Sequence, residues 1–259
     1  MKEQIYTIPV NDSFSTECEC PVCRLESDLE NDSISFMLSP ALMEPDNRVA
    51  TNQKGFCRRH FSLLYNKKEN VLGVSLIIET HIQHQMEEFR KILKKHSKGI
   101  EADTKMNAVK NITGNIGKSS TNTSKFIDET AGFFTELSEK CEVCERIDRI
   151  MDRYCDVITW MYFKDEEFRN KVKSGKGFCL PHYRLLLLSA KKHLSPKQCA
   201  VFVSDINDLM EKNMDRMLDE VQWFAQKFDY RNKDASWKNS KDAVPRAIEK
   251  FVSYNNLIK

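Results

Sequence analysis

The chain has 259 residues, 41% of them hydrophobic and 30% charged, with a net charge of +2. That length suits one large domain or two small ones, and the apolar share is too high for a wholly disordered chain. Near-neutrality removes any global drive toward nucleic acid or an anionic membrane. Only 8 Gly and 7 Pro are present, too few for a turn-rich β or α/β fold, so the composition predicts an all-α protein.

Taken in chain order, the first residues, MKEQIYTIPVNDSF, have no apolar core segment, and no signal peptide is expected. The longest apolar runs, around Leu72–Ile78 and Leu185–Leu188, fall far short of a membrane span. The expectation is a cytoplasmic protein. In a reducing compartment its nine cysteines point to metal ligands or reactive thiols rather than disulfides.

Cys20-Pro-Val-Cys23 opens a helix predicted over Val22–Met37. Gly55-Phe56-Cys57-Arg58-Arg59-His60 leads into a short helix ending near Tyr65, and Val71–Lys95 carries a long helical stripe. Residues 97–124 turn rich in Ser, Thr, Asn, Gly and Lys, and are read as a mobile polar linker. After Cys141-Glu-Val-Cys144, the residues Ile147, Ile150, Met151, Tyr154, Val157, Ile158, Met161 and Tyr162 keep helical spacing. Asp165–Lys173 is a short helix, and Gly177-Phe178-Cys179-Leu180-Pro181-His182 leads into Tyr183–Lys192. Ser195-Pro196 caps a long helix reaching Phe228, and Asp242 caps a last one over Ala243–Tyr254. The predicted division is a first module over 1–97, a linker over 98–125, a second module over 126–230 and a docking tail over 231–259.

The motifs form an internal repeat. Cys23 and Cys57 are separated by 33 residues, and Cys144 and Cys179 by 34. Each copy supplies three cysteines and a histidine, a closed four-ligand set of the kind structural zinc takes. CxxC brings two sulfurs together through a short turn, and CxxH places its ligands one helical turn apart on one face. The expectation is two zinc ions, one held by Cys20, Cys23, Cys57 and His60 and the other by Cys141, Cys144, Cys179 and His182. Loss of Cys57 would then damage the first half more than the second. Gly55 and Gly177 are read as letting the backbone approach the metal. Lys54, Arg58, Arg59, Arg146, Lys176 and Arg184 flank the motifs, as charge compensation or ordinary solvated surface. Iron–sulfur ligation is the alternative cofactor, though four cysteines are commoner for it. A thioredoxin-like role lacks its βαβ context, and covalent haem is excluded because Arg24 and Glu145 stand where CxxCH needs histidine. Cys155 and Cys199 are read as core fillers, and Cys18 as a spare thiol that could exchange with the ligands.

The tail mixes charge, amide and indole, and should dock on the body or on a ligand. Arg231, Asp234, Trp237, Lys241 and Arg246 are its candidate ligand or partner residues. The order CPVC, GFCRRH, CEVCERID, GFCLPH and KFDYRNKDASWKNSKDAVPRAIEK resembles a family of uncharacterised bacterial proteins with the same duplicated pattern and tail. That resemblance implies no established activity. Some members carry a transporter substrate-binding label, which the missing export signal argues against. The family pattern has Pro-Trp-Gly where this chain has Ser236-Trp237-Lys238.

No P-loop, G-x-S-x-G or dinucleotide fingerprint is present. The leading expectation is therefore a zinc-binding interaction or ligand-binding module with an unknown protein or small-molecule partner. The alternatives are an iron–sulfur or thiol sensor, and an enzyme with a site between the modules near the tail. Nucleic-acid binding ranks last, because the basic excess it needs is missing.

Overall fold

A computed structural model of the protein describes residues 4–104 and 121–253. Among them all regular structure is helical, as eleven α-helices and short 3₁₀ turns. No described helix is long and apolar enough to cross a membrane. The chain groups into two units. The first joins Met1–Asn31 to Ile147–Lys259, and the second is Asp32–Arg146. The units therefore do not follow the sequence repeat: the second is contiguous, and the first is assembled from both ends of the chain. The helices α2 (Pro21–Leu38) and α7 (Glu142–Lys164) contain the points where the chain passes from one unit to the other.

In the first unit, α1 (Gln4–Phe14) was not anticipated, because its composition is mixed and Pro9 lies inside it. Burial fixes it instead: Val10 is fully enclosed, and the Phe14 ring meets Phe168 at 4.9 Å and Phe178 at 6.3 Å. Phe168 lies on α8 (Glu166–Ser174), whose first turn is capped by the Asp165 carboxylate. The buried residues Ile147, Met151, Tyr154, Ile158, Met161 and Tyr162 of α7 keep the predicted spacing. Helix α7 meets α9 (Leu180–His193) through the Asp152–Lys192 ion pair and α10 (Pro196–Gln226) through the Tyr162 and Phe202 rings, edge to face at 5.0 Å. Ser195 and Gln198 form a reciprocal capping box at the start of α10.

The tail docks within the first unit. The buried Lys227 ammonium donates to the carbonyls of Asn232, Lys233 and Ala235, wrapping the loop around one cation. Trp237 stacks beside Phe224 at 5.8 Å, and Trp223 donates its indole N–H to the Ser236 carbonyl. Lys238 adopts φ +51°, the left-handed region that glycine enters without strain. Lys238 holds that conformation without being a glycine. The last described helix is α11 (Ala243–Val252). Asp242 does not cap it with its side chain, because that carboxylate accepts from Arg246 at 2.8 Å instead.

The second unit continues from α2 through a 3₁₀ turn (Pro40–Met43), α3 (Pro45–Lys54), α4 (Arg58–Lys67), α5 (Val71–Thr104) and α6 (Asn122–Glu139). Its core is Ile34, Met37, Leu42, Leu64, Val74 and Ile77. Asn70 accepts from the Gly73 N–H and donates to the Leu38 carbonyl, which fixes the start of α5. Helix α5 runs to Thr104, beyond the predicted end at Lys95, and α6 begins at Asn122 behind the Thr121 cap. Helix therefore occupies both ends of the expected linker, and residues 105–120 of it lie outside the described residues. The two helices pair through Phe89 and Phe134, through Lys95 and His96 on Glu129, and through Asp103 on Thr123. No α6 residue is buried.

Candidate metal centres

Every one of the four motifs lies at a helix N-terminus. Cys20 and Cys141 directly precede α2 and α7, with Cys23 and Cys144 in the first turn. Cys57 and Cys179 are the N-caps of α4 and α9, with His60 and His182 one turn on, and neither sulfur caps its own helix. Unpaired N–H groups and the positive end of the helix dipole stabilise thiolates there. Gly55 and Gly177 have φ of +59° and +77°, so glycine is required by the backbone turn that delivers the third sulfur. At Gly55 an added Cβ would also come within 2.7 Å of the His81 ring.

All eight predicted ligands fall in two clusters, but the pairing is crossed. The first unit joins Cys20 and Cys23 to Cys179 and His182, and the second joins Cys57 and His60 to Cys141 and Cys144. Each centre thus takes CxxC from one repeat and CxxH from the other, which overturns the expectation that each copy completes its own set. In each, one ligand atom per residue lies within 4.8 Å of the rest.

The histidines face the sulfurs through Nδ1. His182 Nδ1 stands 3.1, 3.3 and 3.7 Å from the sulfurs of Cys179, Cys23 and Cys20. His60 Nδ1 stands 3.2, 3.3 and 3.4 Å from those of Cys141, Cys57 and Cys144. Sulfur–sulfur separations are 3.4 Å for Cys23–Cys179 and 3.9 Å for Cys57–Cys144. A tetrahedron with metal–sulfur bonds of about 2.3 Å and a metal–nitrogen bond of about 2.0 Å has edges of about 3.5–3.8 Å. The donor set and its dimensions fit one ion per cluster.

The electrostatics agree. Contact with Cys179 and Cys20, together with burial, pushes the Cys23 thiol up. Burial likewise opposes ionisation of Cys141, yet the His60 ring and the N–H groups of Cys144 and Cys57 bring it down to about 6. Burial opposes charge on His182, but Cys179, Cys20 and Glu26 outweigh it and raise the ring to about 12. In each cluster one thiol is held low and its neighbour high, so negative charge gathers on one sulfur at the expense of the next, a crowding that a central divalent cation would relieve.

Around the first-unit centre, His182 Nε2 lies 3.3 Å from a Glu26 carboxylate oxygen, a carboxylate–histidine arrangement that orients a ligand ring. The Ser253 hydroxyl is 3.4 Å from the Cys23 sulfur. Lys250, only 1% exposed, donates to the carbonyls of Glu19 and Lys176 at 2.5 and 2.6 Å. Glu19 directly precedes Cys20, and Lys176 is three residues before Cys179, so one ammonium ties both ligand loops. Sequence reasoning missed Glu26, Lys250 and Ser253, and no local pattern marks them. In the second-unit centre the Glu142 N–H donates to the Gly55 carbonyl, and Lys54 pairs with Glu142 and Glu145 at 2.8 and 2.6 Å. Of the other flanking cations, Arg146 lies over the Phe36 ring and Lys176 pairs with Glu17. Cys155 is buried as expected, while Cys199 and Cys18 are half-exposed.

Of the tail candidates, Lys241 and Arg246 line one cleft, and Arg231, Asp234 and Trp237 are not part of its lining. Arg231 is exposed and paired with Asp229, Asp234 is exposed, and Trp237 is spent on the loop around Lys227. Arg246 joins Arg216 in an ion cluster on Glu19 and Glu220. Beside it Lys241 lines a cleft of about 490 Å³.

The model described as "Family of unknown function (DUF6062)" matches residues 1–256. The chain belongs to that family. No curated protein and no solved structure matches the chain.

Proposed function

We propose that the chain is a zinc-stabilised helical protein, each unit folded around one Zn²⁺, which serves as an interaction or ligand-binding module. The observation that carries this reading is the convergence of three cysteine sulfurs and one Nδ1 within 4.8 Å, twice, at helix N-termini. Such compactness supports a single ion over a multi-iron cluster, and Cys₃His is a standard structural zinc set. A reducing, cytoplasmic setting suits free thiolate ligands. The exposed apolar face of α11, with Ile248, Phe251 and Val252, supports a role in association.

Elemental analysis of protein purified without added metal tests the reading. About two zinc ions per chain support it, as does loss of helicity on chelation. A folded, metal-free chain, or a brown one carrying iron and sulfide, overturns it.

A further inference from the structure

The two centres share a ligand set and differ in what encloses it. In the first unit all four ligands are buried, and in the second Cys57 and Cys144 are only half-buried. The loops of the first-unit centre are tied by the buried Lys250 ammonium on two carbonyls. Those of the second are tied by the Glu142 N–H on the Gly55 carbonyl and, among side chains, by Lys54, which is 28% exposed, on Glu142 and on a Glu145 that is 50% exposed. A buried, charge-assisted bond keeps its strength, whereas a solvated ion pair is weak and screened by salt.

We propose that the second-unit centre, Cys57, His60, Cys141 and Cys144, is an exchangeable metal site that yields its ion to competing chelators. The first-unit centre is the permanent one. The inference rests on both clusters holding an ion, and adds a division of labour between them. A cleft of about 410 Å³ does reach Cys20, Cys23 and Cys179. The residues behind it are nevertheless 6, 8 and 0% exposed, and Lys250 stands at the same wall.

The test is release of zinc from the full-length, two-zinc chain to excess 4-(2-pyridylazo)resorcinol, with cysteine alkylation mapped by mass spectrometry after the first equivalent has left. One equivalent should leave at least ten-fold faster than the other. Raising sodium chloride from 50 mM to 500 mM should hasten only that phase. Iodoacetamide should then label Cys57, Cys141 and Cys144 and spare Cys20, Cys23 and Cys179. A Lys54→Gln variant should hasten the fast phase and leave the slow one unchanged. Equal release rates, or first labelling of Cys20, Cys23 and Cys179, would overturn the proposal. A chain that takes up fewer than two ions would instead overturn the zinc reading beneath it.

Discussion

The Lys250 ammonium donates to the carbonyl of Glu19, 231 positions earlier in the chain. The same Nζ reaches Lys176, so a residue near the C-terminus aligns the two loops that present Cys20 and Cys179. Lys250→Met removes both bonds and leaves two carbonyls short of a donor, each at about 1–3 kcal/mol. The variant should lose about 2–4 kcal/mol of stability in chemical denaturation, with the loss confined to the first unit by hydrogen exchange. An unchanged midpoint would mean that the helix–loop packing suffices without it.

Crossed ligation makes a sharp prediction for a divided chain. A fragment ending at Thr104 holds Cys20, Cys23, Cys57 and His60, a full own-copy set. It should nevertheless bind no zinc in a stable four-ligand site, because its partners lie beyond residue 140. Co-expression with a fragment beginning at Thr121 should give a complex carrying two ions. Stoichiometric, folded zinc binding by the first fragment alone would contradict the crossed arrangement.

Cys57→Ser should deprotect amides at the start of α7, around Cys141–Cys144, and spare those around Cys20–Cys23. Hydrogen exchange followed by mass spectrometry reads this directly. The in-copy arrangement would give the reverse.

Lys238 offers a test of backbone strain. A non-glycine residue in the left-handed region costs about 1–2 kcal/mol, and Lys238 has φ +51°. Both Lys238→Ala and Lys238→Gly lose the contact of its ammonium with the Trp223 ring at 4.6 Å. The difference between them isolates the backbone, and the glycine variant should be more stable by about 1 kcal/mol.

A pH series on Asp205 has a defined sign. Burial opposes its charge, but bonds from Tyr162 and Lys173 outweigh that and lower its pKa in the folded state. A depressed carboxyl stabilises above its unfolded value of about 3.9 and loses that contribution as pH falls through the folded one. Asp205→Asn should therefore cost up to about 1 kcal/mol at pH 7. The gap from the wild type should close below about pH 4, whatever metal loss both proteins share.

The eight clustered residues were legible because thiol and imidazole chemistry resides in residue type and short spacing. Their pairing was not. With 33 and 34 residues between motifs, either CxxC satisfies either CxxH, and only the three-dimensional approach of Cys20 and Cys23 to Cys179, and of Cys57 to Cys141 and Cys144, decides between them. The stripe on α7 and the Ser195 cap were legible because each is written within a few consecutive positions. Helix α1 was hidden because its order comes from Phe168 and Phe178, more than 150 positions away in the chain. Lys250 was hidden for a related reason: a buried ammonium satisfied by carbonyls leaves no trace in the pattern around it.

Because the second unit is contiguous and falls in sequence between the two segments of the first, the order of synthesis matters. During translation its ligand set is complete once Cys144 has emerged, and it can close while the rest of the chain is still being made. Cys20 and Cys23 are made first yet must wait for His182, and for Lys250 to secure them. Cys20 and Cys23 thus wait longer for their partners than Cys57 does, and a burst of oxidant during synthesis would strike the first unit's thiols hardest.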